Sequence, residues 1–346
     1  MRIVNVMISK VMGGIEQAFL SYNAAFETLG YEVLSVIDNK SAVASEVKAP
    51  KLSIKFNKFS PLLVLKLYFA LKKFAPDVII VHQKKAIPLF KIVARLVGAK
   101  LVGVAHNPKI KRLEKCDAVL SVTQNQADKM AAKGLKNVPI YVVPNMIEMP
   151  AKEPEYQPFH APVVIGTMGR FEPIKGFCDL LKALAILKER GVSFKAVIGG
   201  GNNGTYDDEE RRIFQTVEEL NLQNEVDFCG WVRDKSAFFD GIDIFVLPSL
   251  EESFGMVLLE AALEKKPLVC SDADGPQEVW GNTDAALVFE RGNAEMLADK
   301  LAKMLAHPAT ARDMAEKAYR RVNDNYAIRA AAKVLRRVLE KVTEGK

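Results

Sequence analysis

Short, continuous apolar runs alternate along this chain with longer stretches whose apolar positions recur at helical spacing. In the first half the runs fall at residues 3–8, 33–37, 78–81, 101–105, 118–122 and 140–143. Unbroken runs of this kind suit parallel strands covered on both faces. Amphipathic helices are predicted between them, for example over 15–29 and 61–74. The alternation breaks at "MPAKEPEYQPFHAPV", where Pro150, Pro154, Pro158 and Pro162 disfavour both helix and strand. This segment reads as an interdomain linker. Strands then resume at 163–167, 194–198, 226–229, 244–247, 268–271 and 286–289, with helices over 177–190, 207–220 and 255–265. Residues 294–346 read as helical throughout, and a last helix over 327–346 is expected to cross back onto the first domain. The pattern predicts an α/β chain of two doubly wound parallel sheets, one domain over 1–155 and a second over 162–326. Two such domains facing a central cleft hold ligands at the carboxyl ends of their strands.

Length agrees with that division, because 346 residues exceed what one hydrophobic core usually accommodates. Hydrophobic content of 49% beside 26% charged residues places the chain among soluble globular proteins. Cys116, Cys178, Cys229 and Cys270 lie far apart with no C-x-x-C pair, which argues for free thiols in a reducing compartment. No run reaches the apolar length of a membrane span, and residues 1–9 read as strand and turn rather than signal sequence. A cytoplasmic protein is expected.

Charge is unevenly spread. Residues 1–155 carry 23 Lys and Arg against 12 Asp and Glu, a net +11, while the remainder carries 25 against 30, a net −5. A basic first half suits an anionic partner such as a membrane surface, a phosphorylated lipid or a nucleic acid, or serves solubility alone. The basic residues lack interleaved aromatics in any known binding pattern, so no nucleic acid is expected.

Several turns carry candidate chemistry. Gly13 and Gly14 in "VMGGIEQAF" follow the first strand and open a helix, letting backbone approach a ligand. The third glycine of a dinucleotide fingerprint is missing, Phe19 and Leu20 standing near its place, which argues against a nicotinamide or flavin enzyme. In "GTMGRFEPIKGF" the Gly169–Arg170 turn and Lys175 sit at a strand's carboxyl end beside a helix N-terminus. A fork-shaped donor, a mobile ammonium and free amides suit a pyrophosphate. The order of a Walker loop is absent. Gly199, Gly200 and Gly201 shape a cleft floor or form a simple turn, and Trp231 and Val232 either frame a flat base or pack.

The stretch "EESFGMVLLE" places Glu252 and Glu260 seven residues apart across a loop-to-helix junction. Ser253 is the expected N-cap, with Glu260 about two turns down the helix. The amides of Phe254, Gly255 and Met256 then form an anion site flanked by two carboxylates. A carboxylate accepts two hydrogen bonds from a vicinal diol, so one suits sugar hydroxyls and the other ribose hydroxyls. Solvated helix glutamates are the alternative, and Glu264 is read as one.

The stretch running on through "EAALEKKPLVCSDADGPQEV" closely resembles the E-x7-E segment of family 4 retaining glycosyltransferases, which have the GT-B fold of two Rossmann-like domains. The order of "VMGGIEQ", "VAHN", "YVVPNMIEM", "GRFEPIKG" and "DIFVLPS" agrees with that family, although Met146 stands where glycine is usual. The resemblance implies that Arg170 and Lys175 hold the donor diphosphate and stabilise the leaving nucleotide. It implies Glu252 on the transferred sugar, Glu260 on the ribose, Phe254 and Gly255 amides assisting, and His106 near the reacting carbon. Gly14 would let the first domain approach that sugar, and Glu278 is a further candidate. The resemblance also implies retention of anomeric configuration and no metal or other cofactor. Asp272-Ala273-Asp274 is a D-x-D sequence of the type that holds a metal elsewhere; its late position reads as a loop.

In family terms the first domain binds the acceptor. The helix over 61–74 carries Lys66, Lys72 and Lys73 after Lys55 and Lys58, and Lys109, Lys111, Arg112 and Lys115 follow His106. A basic amphipathic helix either packs on the sheet or rests its rim on an anionic inner membrane. The expected function is transfer of a hexose, UDP being the leading nucleotide, to a lipopolysaccharide-core or lipid-linked glycan. A sugar-nucleotide epimerase on the same architecture and a non-catalytic binding protein are the rivals.

Overall fold

The computed structural model describes residues 1–9, 13–57, 60–201, 204 and 206–344. Of the positions singled out above, Val11, Met12 and Lys58 lie outside the described residues, as do 345–346 of the last predicted helix.

The first strands are β1 (Arg2–Met7), β2 (Glu32–Asp38), β3 (Lys51–Ile54), β4 (Val78–Val81), β5 (Lys100–Ala105), β6 (Ala118–Ser121) and β7 (Ile140–Val142). Among the described residues they form a parallel sheet in the order β3-β2-β1-β4-β5-β6-β7. Helices α1 (Gly14–Thr28), α2 (Pro61–Phe74), α3 (Ile87–Val97) and α4 (Gln124–Ala132) connect them. The run of β1 explains the layering, because successive side chains leave opposite faces of a strand. Ile3 and Met7 join the cluster under α1, while Val4, Val6 and Ile8 join the one under α2 and α3. A short strand such as β3, with polar and apolar residues alternating, gives little sequence signal.

The second series is β8 (Val163–Arg170), β9 (Phe194–Gly201), β10 (Val226–Gly230), β11 (Ile244–Leu247), β12 (Leu268–Ser271) and β13 (Leu287–Phe289). These form a parallel sheet in the order β10-β9-β8-β11-β12-β13. Its helices are α5 (Phe177–Glu189), α6 (Asp207–Glu219), α7 (Lys235–Asp240), α8 (Met256–Leu263), α9 (Asp274–Trp280), α10 (Ala294–Ala306) and α11 (Pro308–Asn325). The expected helical run over 294–346 is interrupted. Proline begins α11, where its missing N–H costs nothing, and Ala327, at φ −58° and ψ 142°, is extended. There Ile147 donates to Tyr326 O at 2.9 Å, and Ile328 donates back to Ile147 O at 3.0 Å. The final helix α12 (Ile328–Thr343) then buries Ala331, Ala332, Leu335 and Leu339 in the α1 face of the first sheet.

The chain accordingly divides into Met1–Glu148 with Asn325–Lys346, and Met149–Asp324. The proline-rich segment is part of the second unit and is not a free linker. Lys265 holds Glu153 at 2.6 Å and Glu316 at 2.9 Å, while the His160 ring meets Asp243 at 2.7 Å. A segment with no backbone ladder of its own is anchored through side chains.

Candidate active site

All strands of the second sheet are parallel, so their carboxyl ends share one edge. Chain order reverses there between β8 and β11, the position at which doubly wound sheets open a crevice. Arg170 ends β8, and Lys175 closes the 3-10 turn Pro173–Lys175 just beyond it. The loop after β11 carries Glu252. Lys175 Nζ lies 2.7 Å from Glu252 Oε2, both side chains 19% exposed, so the pair bridges the switch point. Backbone joins the same two segments, Leu250 N donating to Ile174 O at 2.8 Å. Arg170 Nη1 meets the buried Glu172 carboxylate at 2.6 Å while its own side chain stays largely exposed.

The loop-to-helix junction differs from expectation. Gly255, at φ +87°, is the N-cap of α8, and Ser253 is not: its amide donates to Glu252 Oε1 at 3.1 Å. A left-handed backbone at the cap favours glycine over serine. Because α8 starts at Met256, Glu260 sits one turn into the helix, not two. Lys235 Nζ, from α7, lies 2.5 Å from Glu260 Oε1. Each glutamate of the pair therefore has a lysine partner from another loop or helix. Phe254 is buried, and Gly275 at the start of α9 lies against its peptide: a Cβ at Gly275 would stand 2.3 Å from Phe254 N. Gly275 N donates to Glu252 O at 2.9 Å, fixing the loop from behind.

Trp231 follows β10 and is 49% exposed, a large aromatic face left open at this edge. Val232 instead packs directly over the Gly199 backbone. Gly169 pairs with Gly200 across β8 and β9, so little side-chain bulk stands there. Glu278 lies on the exposed face of α9 rather than in a turn. Asp272 and Asp274 share Arg291, whose Nε is 2.9 Å from Asp272 Oδ1 and whose Nη2 is 3.8 Å from Asp274 Oδ1. No group of three or more His, Cys, Asp or Glu able to hold a metal occurs among the described residues.

In the first unit the order reverses between β1 and β4. Gly14 is the first residue of α1, with open space where a side chain would stand. His106 follows β5, and its Nε2 lies 3.3 Å from Nδ1 of His82, which follows β4. Burial pushes His106 down to about 4, with the Lys84 ammonium adding to the effect. Burial and then His106 hold His82 well below the usual histidine range. Lys84 Nζ donates to Asn107 Oδ1 at 2.7 Å and to Asn107 O at 3.2 Å, and also to Lys109 O, pinning the loop beyond His106. Burial, reinforced by Lys109 and Lys133, lowers Lys84 to about 8. His106 is thus a neutral imidazole at ordinary pH, a hydrogen-bonding group rather than a cation.

Sequence reading missed Lys235, Glu172, Lys84 and His82. Only His82 left a signal, a polar side chain directly after the apolar run of β4; the lysines resemble any surface lysine.

Residues 149–321 match the family model for Glycosyl transferases group 1, and residues 12–149 match Glycosyltransferase Family 4. The chain is 29% identical over 244 residues to the lipopolysaccharide core biosynthesis glycosyltransferase LpsD of Rhizobium meliloti, covering 69% of this chain and 68% of the relative. It is 31% identical over 162 residues to LpsE of the same organism, covering 47% of this chain and 45% of that protein. The crystal structure of Anabaena HepE in complex with UDP superposes with a TM-score of 0.82 at 18% identity, over 99% of this chain and 100% of that one, a likeness of fold.

Proposed function

The chain belongs to the group 1 glycosyl transferases with a family 4 N-terminal region, and on that premise we propose that it moves a hexose from a UDP-sugar to a lipopolysaccharide-core or other lipid-linked glycan, with retention of configuration. The observation that carries the donor half is the carboxyl edge of the second sheet. There a buried-edge lysine, an exposed arginine, a helix N-terminus and two carboxylates converge on one switch point.

In this reading Arg170 and Lys175 take the diphosphate. Arg170 keeps its orientation through Glu172, and Lys175 uses one ammonium proton on Glu252 and keeps two for phosphate oxygens. The first-turn amides around Gly255 and Met256 add the positive end of the α8 dipole. As the glycosidic bond breaks, negative charge grows on the β-phosphate, and these fixed donors stabilise it without reorganising. Glu252 accepts hydrogen bonds from hydroxyls of the transferred sugar and Glu260 from those of the ribose, with Trp231 beside the base. His106, neutral, hydrogen-bonds the sugar, and Gly14 gives it room. In this reading Arg170, Lys175 and the α8 amides meet the diphosphate charge, so no metal or other cofactor is expected.

The lipid-linked acceptor rests on the first unit. Leu62, Leu65 and Phe69 of α2 and Ile92 and Leu96 of α3 are exposed, although Leu63, Leu67 and Leu71 already bury the core face of α2. Lys66, Lys72, Lys73 and Arg95 are exposed among them. An apolar stripe rimmed by cations suits the inner-membrane surface, with the protein peripheral on its cytoplasmic side. No helix among the described residues is long and apolar enough to cross a membrane.

The deciding experiment is a calorimetric titration of UDP, GDP, ADP and CMP into the protein with EDTA present. Saturable binding of UDP in preference to the others is expected. No nucleotide binding by folded protein would sink the donor-site reading, and preference for another diphosphate would change the sugar pool.

A further inference from the structure

Behind His106 the first unit buries a row of polar side chains where aliphatic ones would be ordinary. Asn5 in β1, Ser35 in β2, Asn23 in α1 and His82 after β4 are all 5% exposed or less. Asn5 and Ser35 are register partners on the face that otherwise carries Ile3, Met7, Val33 and Ile37. Buried polar groups are costly unless paired, and these are paired in sequence. Asn23 Nδ2 donates to Ser35 Oγ at 3.0 Å, and Asn5 Nδ2 donates to Asn23 Oδ1 at 2.9 Å and to Phe19 O at 3.3 Å.

The Phe19 carbonyl can only accept, so it fixes which way the Asn5 amide faces. Asn5 Oδ1 is therefore the atom 3.0 Å from His82 Nε2, and His82 must carry its proton there. With His82 neutral, its Nδ1 is a lone pair, and the nearby His106 Nε2 must donate to it. Phe19 and Tyr22 hold the His82 ring edge-on, with centroids at 5.6 and 4.9 Å. Burial disfavours a second proton on either ring.

We infer that His82, oriented by Asn5, is a positioning residue that holds His106 in the Nε2–H tautomer, so that His106 Nδ1 presents only a lone pair. This rests on the assignment of His106 to the transferred sugar and narrows it. The Nδ1 lone pair accepts a hydrogen bond from a sugar hydroxyl; it neither donates to the ring oxygen nor delivers a proton to the leaving group. A donor sugar lacking that hydroxyl, or carrying fluorine in its place, loses the contact.

The test uses the full chain labelled with 15N-histidine, in long-range proton–nitrogen spectra at neutral pH. The chain has four histidines, and His160 and His307 are exposed, so His160→Gln and His307→Gln complete the assignment. Both His82 and His106 are expected as Nε2–H tautomers; an Nδ1–H His106, or one averaging between tautomers, overturns the inference in the wild-type protein alone. His82→Phe keeps a ring between Phe19 and Tyr22 but removes the acceptor. It is expected to average the His106 tautomers and to lower kcat about tenfold, the worth of one hydrogen bond, with donor KM nearly unchanged. His82→Asn, whose Oδ1 can replace Nδ1, is expected to restore both signals. An unchanged His106 spectrum in His82→Phe overturns the inference. A shifted tautomer with undiminished turnover supports it and instead removes His106 from the sugar.

Discussion

Lys175 and Glu252 leave different loops, one after β8 and one after β11, and meet at 2.7 Å across the point where strand order reverses. A lysine committed to one carboxylate oxygen still has two protons to offer. Lys175→Ala is expected to lower kcat/KM about 100-fold, as loss of a leaving-group donor does. The double-mutant cycle with Glu252→Gln should show coupling of about 1 kcal/mol in UDP binding. Additive losses would mean that the two act separately.

Glu260 is one turn into α8 and is bound to Lys235. If its carboxylate takes ribose hydroxyls, Glu260→Ala should weaken UDP about tenfold or more by calorimetry. Lys235→Met, which leaves that carboxylate in place, should change UDP affinity by less than about threefold, the scale of an exposed ion pair. Equal losses in the two variants would place the nucleotide on the lysine instead.

The first unit should lose stability in mild acid. In the unfolded chain His106 titrates near its ordinary 6.5, whereas in the folded protein it does so at about 4, and His82 is shifted the same way. Between those values the unfolded state binds more protons. The histidines' contribution is therefore complete above about pH 6.5 and is lost as pH falls through about 4. The Tm of this unit is expected to be about 4 °C lower at pH 5 than at pH 7.5. The double variant His82→Asn, His106→Gln should flatten that slope; an unaltered slope assigns it to other groups.

A methyl group at position 275 tests how closely α9 supports the Glu252 loop. In Gly275→Ala the new Cβ would stand 2.3 Å from Phe254 N and 2.5 Å from Ser253 C, both backbone atoms. Strain of about 1–3 kcal/mol is expected in chemical denaturation, with weaker UDP binding because the loop must move. Wild-type stability in this variant would show that the loop yields freely.

Membrane contact makes a separate prediction. The protein should sediment with anionic vesicles at low salt and be released at high salt. Leu62→Ser with Phe69→Ser should abolish sedimentation while UDP affinity in solution stays unchanged. Equal binding to zwitterionic vesicles would remove the cationic rim from the account.

The sequence by itself determined the two doubly wound sheets, because continuous apolar runs separated by helical periodicity leave few other ways to bury both faces of a strand. It also marked Arg170, Lys175, Glu252 and Glu260 as candidates, since each sits at a strand end or in the helix beyond it. Only the tertiary structure decided their partners. Lys175 and Glu252 are joined by two turns far apart in the chain, and Lys235 reaches Glu260 from a short helix that no periodicity singled out. The cap of α8 went to Gly255 because a left-handed backbone there favours glycine, and a sequence does not display its dihedral angles. The proline-rich segment looked unanchored until Lys265 and Asp243 were seen to hold it. The polar row behind His106 is written in the sequence as isolated Asn5, Ser35 and His82 among apolar neighbours, yet its meaning depends on register. Pairing β1 with β2 and β4 brings these residues together, and side-chain contacts between strands are set by folding rather than by spacing along the chain.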